Sequence, residues 1–113
     1  MTDLSLQRER YVQALERNLE NLVSQLRAIP EVHKVILFGS YAKGRRDLFT
    51  DLDLIVVMES EEDFVTRCAD LAGRLNAGVA LDLLVYTPRE LEKIRERPFF
   101  RSALGSGEVL YER

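Results

Sequence analysis

The sequence predicts an α/β (α+β) fold, a small mixed β-sheet of about four strands flanked by helices. Three observations predict it: an opening stretch with apolar residues at helical spacing, several short apolar runs bounded by turn residues, and a helical pattern set between two of those runs as a crossover would be. With 113 residues, 46% hydrophobic and 31% charged, the chain suits one soluble domain with a modest core. Residues 1–29 read as a helix and 30–113 as the body of that domain.

Val12, Leu15, Leu19, Leu22, Leu26 and Ile29 recur at steps of three and four, which places them on one stripe of a helix from about Leu4 to Ala28 that Pro30 ends. The stripe serves either the domain's own core or a helix shared with another chain. Val35-Ile36-Leu37-Phe38 reads as a buried strand stopped by the Gly39-Ser40 turn, and a second strand follows from about Asp51 to Met58. The short link between them favours an antiparallel pair. Ser60-Glu61-Glu62-Asp63 resembles a capping box ahead of a helix bearing Phe64, Cys68, Leu71 and Leu75, with Gly78 as its stop. Val79 to Tyr86 then reads as a central strand, buried on both faces and reached by a right-handed crossover. Thr87-Pro88-Arg89-Glu90 starts another helix, Phe99 to Leu104 a further helical turn, and Val109-Leu110-Tyr111 a short edge strand.

Bulk properties narrow the function. A net charge of −3 and pI near 5.2 lack the positive field that non-specific nucleic-acid binding needs, so nucleic acid is not an expected partner. No apolar run approaches the roughly 18 to 20 residues that cross a bilayer, so no membrane association is expected. Cys68 is alone and reads as a small core residue, and Met1-Thr2-Asp3 leads into a charged amphipathic stretch and not an apolar signal core. The expected compartment is the cytoplasm. His33 reads as a surface residue.

The chemistry lies in three aspartates. Asp51 and Asp53 are two apart on a strand and therefore face the same way, beside the Gly39-Ser40 turn. On its own such a pair is an ordinary solvated face. Asp82, however, interrupts the apolar run Val79 to Val85, and a parallel crossover would set it alongside the other two. Three converging carboxylates repel one another unless a hard cation joins them, which suits two Mg²⁺ ions, with Mn²⁺ as the alternative. Gly39 lets a phosphate approach the backbone, Ser40 offers a hydroxyl or a plain helix cap, and Lys43, Arg45 and Arg46 add cations that bind phosphate or simply face solvent.

Together, GSYAKGRRDLFTDLDLIVVM from Gly39 to Met58, with Asp82 in a later strand, resembles the DNA polymerase β-like nucleotidyltransferase superfamily and, by size, its minimal nucleotidyltransferase domains. The likeness covers about residues 30 to 113. It implies a nucleotidyltransferase fold with helices on one side of the sheet, a catalytic and metal-binding set of Asp51, Asp53 and Asp82, and a nucleotide site made by Gly39, Ser40, Lys43 and Arg45. Asp82 serves as base or as metal ligand only. Lys43 stands where arginine is frequent and Thr50 where serine is.

The resemblance further implies transfer of a nucleoside monophosphate, AMP from ATP in the first instance, onto a small helical HEPN-type protein, as the antitoxin of a toxin–antitoxin pair. The opening helix or the Phe99-Phe100 region would then meet the partner. Two other readings stand beside it: a subunit, with a helical partner or as a homo-oligomer, that nucleotidylates a small hydroxylated molecule, and a non-catalytic module that masks a partner.

Overall fold

A computed structural model describes residues 3–113; the reading of Met1 and Thr2 lies outside the described residues. In chain order the elements are α1 (Asp3–Arg27), β1 (Val32–Phe38), α2 (Gly39–Ala42), β2 (Leu52–Met58), α3 (Phe64–Arg74), β3 (Leu81–Tyr86), α4 (Pro88–Ile94), α5 (Pro98–Ser106) and β4 (Glu108–Glu112). The four strands form one mixed sheet in the order β3-β2-β1-β4. β1 pairs antiparallel with both β2 and β4, and β2 pairs parallel with β3 through the α3 crossover.

β1 and β2 are apolar on both faces because both faces are covered. On one, Leu15, Leu22 and Leu26 of α1 and Leu71 of α3 pack on Val35, Leu37, Leu54 and Val56. On the other, Ala103 of α5 closes over Ile36, Phe38, Ile55 and Val57, with Leu91 of α4 beside it. Helices therefore lie on both sides of the sheet, which corrects the one-sided arrangement that the resemblance implied. The helical stripe of α1 belongs to the chain's own core.

Val79 to Tyr86 is corrected too. The strand begins at Leu81, forms an edge of the sheet and buries only Val85 fully. An apolar run shows that faces are covered; it does not count neighbours. Asp82 is exposed there, so its carboxylate escapes the desolvation expected of a central strand.

The α3 cap falls on Asp63, whose Oδ1 accepts from the Thr66 amide at 2.8 Å, while the Ser60 hydroxyl accepts from Glu62 in the turn ahead. Both residue types cap well, and only the start of the helix decides between them. α3 also ends at Arg74, before Gly78. At α4 the Thr87/Glu90 capping box and Pro88 are as the sequence predicts. Buried Arg67 staples these parts, donating to the Val85 and Glu62 carbonyls at 3.0 and 2.6 Å and to both Glu90 carboxylate oxygens. Gly107 lets α5 close on β1, since a Cβ there would stand 2.5 Å from the Ala103 carbonyl and 3.0 Å from that of Leu37. No helix among the described residues is long and apolar enough to cross a membrane.

Candidate active site

Sheet register sets the carboxylates. Phe38, the last residue of β1, pairs with Asp53, and Asp53 pairs with Asp82 across the parallel β2-β3 ladder. Strand alternation puts Asp53 on the face of Ile55 and Val57, and Asp82 on that of Leu84 and Tyr86. Both therefore stand at the rim of the face that α4 and α5 cover.

Asp53 is half-buried, and its carboxyl is pushed up from 3.8 to about 6. Burial is the largest cause, followed by the hydrogen-bonded contact with the Asp82 carboxyl and its charge, then by the charge of Asp51. The contact with the Asp82 carboxyl thus disfavours a negative charge on Asp53. Asp51 sits one residue ahead of β2 and acts from farther off, as a third negative charge. Among the described residues no three carboxylate, imidazole or thiol groups form a ready-made metal cluster. The fold brings two of the three aspartates into contact and leaves the third beside them.

The Gly39-Ser40 turn is built around Asp53. Gly39 has φ +77°, and a Cβ on it would stand 2.1 Å from Asp53 Oδ2, so only glycine lets the turn back onto the carboxylate. α2 then runs from Gly39 to Ala42, with Phe38 in the N-cap position and no side-chain cap. Ser40 is therefore not the plain cap that was its alternative reading, and its hydroxyl makes no hydrogen bond among the described residues.

The three cations differ in employment. Arg45 is exposed and donates through Nε to Asp47 at 2.8 Å, an ion pair that raises the arginine and lowers the aspartate. Arg46 donates to the Tyr41 and Arg45 carbonyls, both at 2.8 Å, and stacks 3.5 Å over the Tyr41 ring. Lys43 has no side-chain partner among the described residues and borders a groove of about 250 Å³ between α2 and α5.

Sequence reading missed the brace behind Asp51. Asp47 accepts from the Phe49 amide at 2.8 Å and from the Thr50 hydroxyl at 3.2 Å, and the Tyr11 hydroxyl of α1 donates to the Thr50 carbonyl at 2.7 Å. Tyr11 lies four residues before Leu15 on the buried stripe, so its place was legible and its polar task was not. Ser102 and Ser106 of α5, which face Lys43 across the groove, carry no signal of their own in the sequence, and Phe99, which the sequence assigned to a partner surface, lines the same groove.

A family model described as Polymerase beta, Nucleotidyltransferase matches residues 20–113, reaching into α1 beyond the expected limit near residue 30. A candidate protein adenylyltransferase of Methanocaldococcus jannaschii is 35% identical over 81 residues, covering 71% of this chain and 79% of its own. Two crystal structures share the fold. One is of a candidate nucleotidyltransferase from Sulfolobus solfataricus, with TM-score 0.56 and 16% identity over 100% of this chain and 90% of that one. The other is of a toxin–antitoxin with AMP-PNP, with TM-score 0.53 and 23% identity over 83% and 73%. The family match spans well over half the chain and holds every residue of the carboxylate rim and the Gly39 turn; the chain belongs to the polymerase β nucleotidyltransferase family and is a nucleotidyltransferase.

Proposed function

We propose that the protein transfers AMP from ATP, with Mg²⁺ held by Asp51, Asp53 and Asp82, onto a hydroxyl of a small helical HEPN-type protein, as the antitoxin of a toxin–antitoxin pair. One observation carries the metal part: Asp53 is pushed up to about 6, first by burial and then by a second carboxylate in contact and a third close by. Such crowding costs stability unless a cation offsets it. Mg²⁺ binds through one or two carboxylates plus substrate phosphates, so a contacting pair with Asp51 at hand fits it without a closed cage. When bound, the ion neutralises charge on the transferring phosphoryl group and lowers the pKa of an oxygen nucleophile.

The chain's own groups supply the rest. Amides of the Gly39-Ser40 turn and the Ser40 hydroxyl offer hydrogen bonds to phosphate oxygens, and Lys43 offers an unpaired positive charge. Arg45 reaches phosphate only by leaving Asp47. Asp82, exposed at the sheet edge, is the carboxylate most open to an acceptor hydroxyl, and it holds that proton if it serves as base. The protein acceptor and the nucleotide are supported by the 35% identical candidate protein adenylyltransferase and by the shared fold of the toxin–antitoxin with AMP-PNP.

The test is to incubate the protein with the helical product of a neighbouring gene, ATP and Mg²⁺, and to read intact mass. Addition of whole AMP masses, abolished by Asp53→Asn, is the expected outcome. An unmodified partner under conditions where the protein binds ATP refutes the acceptor assignment. Full inhibition of the partner by the Asp51→Asn, Asp53→Asn variant would make the protein a masking module.

A further inference from the structure

We propose that the groove between α2 and α5 is the nucleoside pocket of this site, and that the base of the nucleotide stacks on Phe99. This rests on the reading that the protein binds a nucleoside triphosphate. The groove, of about 250 Å³, is walled by Phe38, Gly39, Lys43, Phe99, Ser102 and Ser106. Gly39 joins it to the chemistry: its backbone lines the groove and also backs onto the Asp53 carboxylate. A nucleoside seated there turns its sugar end toward the carboxylates, and Lys43 at the wall meets the first phosphate.

Phe99 is 51% exposed although it belongs to the helix that closes the second core. Its ring is not loose. It meets Phe38 and Phe100 nearly perpendicularly, at interplanar angles of 89° and with centroids 5.9 and 5.0 Å away. Held from two sides, the ring keeps one orientation and leaves part of its surface open to the groove, so that little ordering is needed when a flat ligand covers it. Every base has a π-face, so such a platform supplies affinity and little choice among bases. Ser102 lies three residues on, and its hydroxyl makes no hydrogen bond to protein among the described residues, which leaves it to meet a sugar hydroxyl. The Ser106 hydroxyl is already used, donating to the Ser102 carbonyl at 2.8 Å.

The chain contains no tryptophan, so Phe99→Trp introduces a single fluorescent reporter at the proposed platform. Titrated in Mg²⁺, this variant should be quenched by ATP and by GTP and far less by inorganic tripolyphosphate, which has charge and no base. In calorimetric titrations Phe99→Ala should weaken ATP about tenfold, the scale of one lost base–aromatic stack, while tripolyphosphate affinity stays within about twofold. ATP binding to Phe99→Ala as tightly as to wild type, or a Phe99→Trp signal that ATP leaves unchanged, overturns the proposal. Loss of partner modification by Phe99→Ala with ATP affinity intact also overturns it, by assigning the ring to the partner surface. Failure of the wild-type protein to bind ATP overturns the nucleotide reading itself, and this pocket with it.

Discussion

Replacing Asp53 with asparagine should make the metal-free protein more stable while removing its activity. At about 1.4 kcal/mol per tenfold change in proton affinity, the rise of this carboxyl from 3.8 to about 6 corresponds to a ceiling of ~3 kcal/mol. The side chain is only partly buried, and solvent screening reduces the figure to about 1–2 kcal/mol. Because the folded protein binds the proton more tightly than the unfolded chain does, this group's contribution is fully present below 3.8 and lost as the pH rises through about 6. In EDTA at about pH 7.5, urea unfolding followed by circular dichroism should therefore show Asp53→Asn ahead by about 1–2 kcal/mol, with the lead shrinking toward zero near pH 4. All other titrating groups are common to both proteins, so the difference reports Asp53 together with its contact to Asp82. Mg²⁺ should restore stability to the wild type and not to the variant. An asparagine variant no more stable than wild type at neutral pH, or one whose lead is the same at both pH values, refutes the reasoning.

Other perturbations follow from the same geometry. Gly39→Ala forces a side chain into the left-handed region at about 1–2 kcal/mol and drives its Cβ against Asp53 Oδ2; urea unfolding should show at least that loss, and intact-mass assays no transfer. Tyr11→Phe removes the bond to the Thr50 carbonyl behind Asp51; it should cost about 1 kcal/mol in unfolding and lower the rate of transfer more than it changes ATP affinity measured by calorimetry. Arg67→Ala leaves two carbonyls without their buried donor and Glu90, which is partly exposed, to solvent; it should destabilise by about 2–3 kcal/mol in the same unfolding assay, whereas Arg67→Met should lose less.

What the sequence disclosed and what it withheld divide along a physical line. Periodicity shows which faces are covered, so the stripe from Leu15 to Ile29 and the runs at Val35 and Leu52 could be placed before any coordinates. Cap chemistry at Thr87 was equally local and equally legible. Position within the sheet was not. Val79 to Tyr86 is as apolar as a central strand because α3 and α4 shield much of it, yet β3 has a neighbour on one side only. Asp63 and Ser60 compete for one cap on equal chemistry, and only the start of α3 separates them. At the site, the spacing of Gly39, Asp51 and Asp53 carried the motif, and the crossover carried Asp82. No spacing rule could show that Arg45 and Arg46 are occupied within their own loop, or that α5 returns to face Lys43.

The two faces of the sheet bear different loads, and this explains how so small a chain keeps a strained site. The α1 side is closed by side chains with no exposure at all, Leu15, Leu22, Leu26, Leu54 and Val56 among them, and by a helix far longer than any other here. Burial of that kind contributes most of the folding free energy and tolerates no gap. On the opposite side α5 covers the middle of the sheet and stops short of the rim, where the half-buried Asp53 meets exposed Asp82 and the Phe99 groove opens. The unfavourable carboxylate contact is therefore confined to a margin that the main core does not need. Relieving it with a cation or a neutral side chain leaves the α1 face untouched, which is why stability and activity should respond in opposite directions at residue 53.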